Sequence, residues 1–229
     1  MLLSIVIPCF NEKKLVKQVI GRVKEDRSFR KEIVIVDDCS TDGTREIIRE
    51  QIEPLVDKVI YHEKNKGKGA ALRSGFAQVS GDIVIVQDAD LEYAPNEYGK
   101  LIQPILDGRA DVVYGSRFKE KASYNKRISC WLLANKVLTA LSNISTGFSL
   151  TDMETCYKAF KREVLKKVSI EEDGYGFEPE ITVKIARLKY RIAEVAISYE
   201  RRNYAQGKKI RWQDGAWALW CIMKYHFVR

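Results

Sequence analysis

The run Ile83-Val84-Ile85-Val86 is apolar and β-branched at every position, and it passes through Gln87 into Asp88-Ala89-Asp90. A run of this kind reads as a strand covered on both faces, the pattern of a parallel sheet. Open sheets of that class bind ligands in the crevice beyond the carboxyl ends of their strands. Two carboxylates one residue apart in that crevice repel each other unless a cation lies between them. A hard divalent ion, Mg²⁺ or Mn²⁺, takes one or two carboxylates and completes its shell with water and phosphate oxygens. Asp-x-Asp by itself also serves as an ordinary turn or helix cap. Its place at a strand end makes Asp88 and Asp90 candidates to hold a metal–diphosphate.

The surrounding order of elements supports such a sheet. Leu2–Cys9 reads as a strand, and Glu12–Glu25 as a helix whose Leu15, Val16, Val19, Ile20 and Val23 follow a 3.6-residue period. Strands follow at Glu32–Asp38, Val59–His62, Ile83–Val86 and Asp111–Tyr114, with helices to about Gln51 and over Gly67–Val79 and Asn96–Leu106. Alternation with short connections means βαβ units and a mostly parallel sheet flanked by helices. The second half is less regular. Helices are expected over Arg127–Ser142, Glu178–Leu188 and Asp214–Tyr225, and strands over Thr155–Phe160 and Ile192–Ile197. No Pro/Gly/Ser-rich linker separates the halves, so a single α/β domain over residues 1–229 is expected.

Composition narrows the partners. The net charge of +8 calls for an anionic one, and no nucleic-acid motif is present, which leaves nucleotide phosphates or an acidic membrane surface. Two histidines, His62 and His226, argue against a His-rich zinc site or a Ser-His-Asp triad. The five cysteines are scattered, with no C-x-x-C pair, and read as core residues in a reducing compartment. No apolar run reaches the roughly 18 residues of a membrane span, and Leu2–Cys9 lacks the basic leader and cleavage site of a signal peptide. The expected location is cytoplasmic, or on the cytosolic face of a membrane.

Every strand of the first half ends in polar chemistry. Leu2–Ile7 leads into Pro8-Cys9-Phe10-Asn11-Glu12, and Ile33–Val36 into Asp37-Asp38-Cys39-Ser40-Thr41-Asp42-Gly43-Thr44. Asp37 or Asp38 could accept hydrogen bonds from a nucleobase or ribose, whereas Ser40 reads as a helix cap. Asn65-Lys66-Gly67-Lys68-Gly69 precedes a helix. Its glycines permit close backbone approach to a ligand, and Lys66 and Lys68 add positive charge near phosphates, but the spacing is not that of a Walker A loop.

In order and spacing, these motifs resemble family 2 glycosyltransferases of the GT-A fold. The resemblance rests on Ile5-Val6-Ile7-Pro8-x-Phe10-Asn11-Glu12, Val36-Asp37-Asp38-x-Ser40-x-Asp42-Gly43-Thr44, Asn65-x-Gly67-x-Gly69-Ala70-Ala71, Gly81-Asp82 and Asp88-Ala89-Asp90-Leu91-Glu92. Gly115-Ser116-Arg117, Ala134-Asn135 and Asp152-x-x-Thr155-Cys156-Tyr157-Lys158 extend it toward the dolichyl-phosphate mannose synthase group and its bacterial polyprenyl-phosphate relatives. It thins through Gly176-Phe177-Glu178 and the basic stretch from Arg202 to Lys209.

The resemblance implies an inverting, metal-dependent transfer of a hexose, mannose or glucose, from GDP-mannose or UDP-glucose to a polyprenyl phosphate. Residues 1–118 would bind the nucleotide sugar and 119–229 the acceptor. Pro8, Phe10 and Glu12, with Asp37 or Asp38, would hold the base and ribose. Asp88 and Asp90 would bind the metal, with Glu92, where many relatives carry Gln, as a third contact. Arg117 and Arg127 would grip the acceptor phosphate, and Arg202, Lys208 and Lys209 would close over the donor phosphates. Two departures stand out. Trp131 lies where the synthases have a serine, and Gly207-Lys208-Lys209-Ile210 replaces Gly-x-Ser-Lys.

A phosphate acceptor needs no general base, because its second pKa of about 6 leaves it largely dianionic at neutral pH. A hydroxyl acceptor would need a carboxylate, for which Glu178 and Asp152 are the candidates. Glu178, before Pro179, also reads as plain negative charge at a helix N-terminus. At the C-terminus, Trp212, Trp217, Trp220, Tyr225 and Phe227 alternate with Lys224 and Arg229. That composition suits a helix lying at a membrane interface, and equally a terminal helix packed on the core. With the spans that many relatives carry missing, attachment would be peripheral or through a membrane-protein partner. Two alternatives stay open: a glycosyltransferase acting on a saccharide hydroxyl, and a non-catalytic nucleotide-sugar-binding module.

Overall fold

The computed structural model of the chain describes residues 1–119, 130–200, 202 and 212–227. Seven strands form one sheet: β1 (Leu2–Cys9), β2 (Arg30–Asp37), β3 (Lys58–Tyr61), β4 (Ile83–Val86), β5 (Val112–Ser116), β6 (Lys158–Lys161) and β7 (Ile192–Ala196). Their spatial order is β3-β2-β1-β4-β6-β5-β7. β1 pairs in parallel with both β2 and β4, β2 with β3, and β5 with β7. Eight α-helices accompany them: α1 (Val16–Glu25), α2 (Thr44–Ile47), α3 (Lys68–Phe76), α4 (Tyr98–Leu106), α5 (Cys130–Thr146), α6 (Arg162–Lys167), α7 (Phe177–Arg187) and α8 (Trp212–Phe227).

Side chains alternate between the two faces of a strand, and the central strands are apolar on both. Leu3, Ile5, Ile7, Ile33, Ile35, Ile83 and Ile85 meet Val16, Val19 and Ile20 of α1 and Leu101, Ile102 and Ile105 of α4. Val6, Val34, Val84 and Val86 meet Leu72 of α3, Phe177, Ile181 and Ile185 of α7, and Ile222 of α8. Gly75 lets α3 lie directly on β1, since a Cβ there would come within 2.4 Å of Val6 Cγ1.

The expected single-domain α/β architecture is present, with one reversal inside it. β6 runs antiparallel to both neighbours, β4 and β5. The cause is the route of the chain. After α5 it returns to the C-terminal end of β5, where the Thr151 hydroxyl lies 2.6 Å from Ser116 Oγ and Asp152 bonds the Arg117 N–H. A strand begun at that end can only run back. The short helix α6, which follows β6 directly, carries too few residues to announce a period.

α8 combines both readings of the C-terminus. Ala218, Cys221, Ile222 and Tyr225 are buried, and Glu172 accepts hydrogen bonds from Trp217 Nε1 (3.0 Å), Lys224 Nζ (2.7 Å) and Tyr225 Oη (2.9 Å). On its other side Trp220, Met223 and Phe227 are exposed, as are Leu133, Val137 and Ile144 on α5. Among the described residues, no helix is long and apolar enough to cross a membrane. Cys9, Cys39, Cys156 and Cys221 carry free thiols.

Candidate active site

The carboxyl ends of β1, β2, β4 and β5 open onto one cavity of about 1170 Å³, walled on the far side by α5 and α8. Pro8, Phe10, Glu12, Asp38, Lys68, Asp88, Asp90, Glu92, Arg117 and Arg202 all line it. The sheet therefore gathers in one place most residues singled out from sequence. Arg127, Lys208 and Lys209 lie outside the described residues.

At the end of β4, Asp90 accepts a hydrogen bond from the Glu92 N–H at 3.0 Å and pairs with Arg202 Nη2 at 2.5 Å. The same guanidinium reaches Glu12 at 3.0 Å. Burial, and then the charges of Asp88 and Glu92, push the Asp90 carboxyl up to about 7. Burial alone would raise Asp88 as well, but Lys68 Nζ at 3.0 Å overrides it and holds that carboxyl below its ordinary value. This strand end carries more negative charge than its own cations balance.

Such a donor set, all carboxylate oxygen and short of positive charge, fits a hard divalent ion. Among the described residues, no group of three His, Cys, Asp or Glu side chains is placed to hold a metal alone. An ion held by Asp88 and Asp90 would need oxygens from a ligand such as a diphosphate. Glu92 shares Arg202 with Asp90 but is engaged by other donors. Its carboxylate accepts from Tyr199 Oη at 3.0 Å and from the Arg202 N–H at 2.8 Å.

The structure separates the two acids after β2. Asp37 is fully buried and pairs with Arg45 Nε at 2.5 Å, away from the cavity. Asp38 borders it, with its carboxylate accepting from Lys66 N (2.9 Å) and Gly67 N (2.7 Å) and lying 2.6 Å from His62 Nδ1. Asp38 thus shapes the Asn65–Gly67 loop, where Gly67 adopts φ +98° and lies against the Asp173 carbonyl, a fit no side chain allows. Ser40 is not the helix cap expected. It accepts the Asn11 N–H at 2.9 Å and ties the β1 and β2 loops together, while Asp42 takes the Thr44 N–H at 3.0 Å.

Arg117 lies at the opposite end, 4% exposed and in a bidentate pair with Asp152: Nε to Oδ2 2.6 Å, Nη2 to Oδ1 2.7 Å. Asp152, fully buried, is therefore the partner of Arg117 rather than a free base. Arg117 also stands 5.1 Å from the ring centre of Tyr199. Glu178, in the first turn of α7, faces inward, 3% exposed, with Oε1 3.4 Å from Lys68 Nζ. Lys68 thus links Asp88 to Glu178 and also donates to Cys156 Sγ at 2.7 Å. Sequence reasoning passed over Tyr199 and Glu154, both in the lining. A carboxylate two residues beyond Asp152, in a segment already marked as a motif, was the available signal for Glu154.

Comparison with known proteins gives the family and the fold. Residues 4–169 match glycosyl transferase family 2. The chain is 29% identical to the UDP-N-acetylglucosamine–dolichyl-phosphate N-acetylglucosaminyltransferase of Methanococcus voltae, over 91% of this chain and 90% of that one. It is also 29% identical to the undecaprenyl-phosphate mannosyltransferase of Micrococcus luteus, over 89% and 85%. With the dolichol-phosphate mannosyltransferase of Pyrococcus furiosus it shares 30% identity over 91% of this chain and 59% of the longer protein. In fold it resembles the glucosyl-3-phosphoglycerate synthase of Mycobacterium tuberculosis, solved with Mn²⁺, UDP and glucosyl-3-phosphoglycerate, with a TM-score of 0.75 at 23% identity over 99% and 80% of the two chains. With strand-end motifs, sheet and family match in agreement, the chain belongs to glycosyl transferase family 2 and is a glycosyltransferase.

Proposed function

We propose that the chain transfers a hexose from a nucleotide sugar, GDP-mannose or UDP-glucose, to a polyprenyl phosphate, with inversion at the anomeric carbon. One observation carries this reading. A single cavity joins the carboxylates of Asp88 and Asp90, the buried Arg117 guanidinium, and an apolar wall made by Leu133, Val137 and Leu138 of α5 with Leu219 of α8. A nucleoside diphosphate suits the first, a phosphate monoester the second and an isoprenoid chain the third. The names of the curated relatives, which act on dolichyl and undecaprenyl phosphates, support the same acceptor.

In this reading Pro8, Phe10 and Glu12 bind the base and ribose, with Asp38 shaping the loop beside them. Asp88 and Asp90 hold Mg²⁺ or Mn²⁺, which neutralises charge developing on the departing diphosphate. Arg202 binds the donor phosphates once they draw it from Asp90 and Glu12, and Lys208 and Lys209 add positive charge for the same phosphates. Arg117, with Arg127, orients the acceptor phosphate, whose dianion attacks without a general base. Residues 1–118 serve the donor and 119–229 the acceptor. The exposed apolar side chains of α5 and α8, on a chain of net charge +8, rest on the cytosolic membrane face, each basic residue near anionic lipid adding about 1 kcal/mol.

The test is turnover of GDP- and UDP-sugars with Mg²⁺ or Mn²⁺, with and without a short polyprenyl phosphate. Nucleoside diphosphate released only with the lipid present, and sugar recovered in an acid-labile organic-soluble product, is the expected result. Equal release with a saccharide acceptor and none with the lipid would overturn the acceptor assignment.

A further inference from the structure

Glu154 has no part in the donor and acceptor assignments, yet it borders the cleft. Its Oε1 is buried and has no hydrogen-bond partner among the described residues. Glu178 repeats the situation beside it: 3% exposed, Oε1 near Lys68, and Oε2 buried without a partner. Buried polar atoms in folded proteins are nearly always paired, and one left unpaired carries its full desolvation cost, larger still when charged. Glu154 borders the cleft and Glu178 stands behind its lining residue Lys68, so the open oxygen of Glu154 is explained by a donor that arrives with a ligand.

The backbone on either side of Glu154 is fixed. Lys158 Nζ donates to the Met153 carbonyl at 3.1 Å and to that of Thr155, and sits 4.4 Å from the Tyr114 ring centre. Glu154 is thus held at a set place in the cleft. Lys68 connects Glu178 to Asp88, at the diphosphate end. Glu154 feels the charges of Glu178 and Lys158, and also those of Arg117 and Asp152 at the other end. Glu154 and Lys68, with Glu178 behind them, therefore flank the interval between the diphosphate and the acceptor phosphate, where the group in transit must lie.

We propose that Glu154, with Lys68 and backed by Glu178, forms the subsite that binds a hydroxyl group of the transferred hexose, and that Glu154 decides which hexose is accepted. The proposal rests on the donor reading above. Burial, and next the Glu178 charge, push the Glu154 carboxyl up to about 8, so near neutrality Glu154 holds a proton. A proton-bearing carboxyl and the Lys68 ammonium offer donors beside a carbonyl acceptor, the complement of a hydroxyl group, which both donates and accepts. An apolar group there would leave the Glu154 oxygen unpaired. A site built to hydrogen-bond a hydroxyl discriminates sharply against ligands that lack it.

The experiment is calorimetry on the full chain with Mn²⁺, comparing UDP and GDP with UDP-glucose, UDP-N-acetylglucosamine and GDP-mannose, for wild type, Glu154→Gln and Glu154→Asp. The expected result is that wild type binds one nucleotide sugar more tightly than its parent nucleoside diphosphate. Both variants should lose that increment, about tenfold, the scale of a hydrogen bond to a charged group, while keeping nucleoside diphosphate affinity within about twofold. Retained nucleoside diphosphate binding also shows that the variants are folded. Unchanged sugar preference in both variants would overturn the subsite and leave the donor reading standing, as would equal loss of sugar and diphosphate binding. Failure of wild type to bind any nucleotide sugar would remove the donor reading, and the subsite with it.

Discussion

At the Asp88/Asp90 end of the cleft, Glu12, Asp90 and Glu92 crowd around a single guanidinium, that of Arg202, while Lys68 serves Asp88. At the other end Arg117 and Asp152 are matched one to one in bidentate geometry, and Asn135 Nδ2 reaches Asp152 at 3.3 Å. The first region is held in deficit of positive charge, the second is neutral before any ligand arrives. A deficit at a strand end attracts a cation that brings its own anion. A balanced buried pair instead keeps a guanidinium in one orientation, which is what positioning a phosphate requires.

If that contrast is right, the strand-end carboxylates should be the most sensitive point for chemistry. Asp90→Ala should lower metal-dependent turnover about 100- to 1000-fold, the cost of losing a preorganised electrostatic contact, and near-normal turnover in Mn²⁺ would break the assignment. The matched pair should instead show itself in stability. Arg117→Ala leaves Asp152 buried and unpaired, and should cost about 3–5 kcal/mol in denaturant unfolding. Arg117→Lys, which keeps the charge but not the fork, should raise the acceptor KM more than the donor KM.

Arg202 gives a more direct probe of the deficit. Removing it as Arg202→Ala should tighten Mn²⁺ binding to the nucleotide-free protein by about tenfold, one competing charge pair, read by calorimetry. Weaker binding would show that the guanidinium assists the metal rather than standing in for it. A control far from the cleft should respond least. Hydrogen bonds from Arg191, then Lys161, hold the Asp111 carboxyl well below its ordinary 3.8. Its pairs stabilise the fold above that ordinary value and lose their effect as pH falls beneath it. Asp111→Asn should therefore cost under about 1 kcal/mol at pH 7, and the difference from wild type in thermal unfolding should shrink toward pH 3.

Much of this was legible along the chain. The apolar β-branched runs of β1, β2 and β4 announce strands buried on both faces, because burial on two sides removes the polar alternation of a half-exposed strand. The carboxylates at their ends are local to those strands, so Asp88, Asp90 and Glu12 could be placed at the crevice from position alone. What periodicity reports is whether a residue is covered, not by what.

Everything that depends on a neighbour distant in sequence needed the fold. Which of Asp37 and Asp38 borders the cavity turned on Arg45 and His62, and the orientation of Arg117 on an aspartate 35 positions away. The reversal of β6 came from where α5 returns the chain, a fact of packing that leaves no mark on the strand's own residues. Glu154 lies in a segment marked as a motif but takes on meaning only where Glu178 and Lys68 close beside it. Amino-acid sequence determined which segments are buried and which strand ends carry charge, since both follow from local chemistry. Tertiary structure alone decided which charges meet, because pairing energy depends on separations that only the packed chain sets.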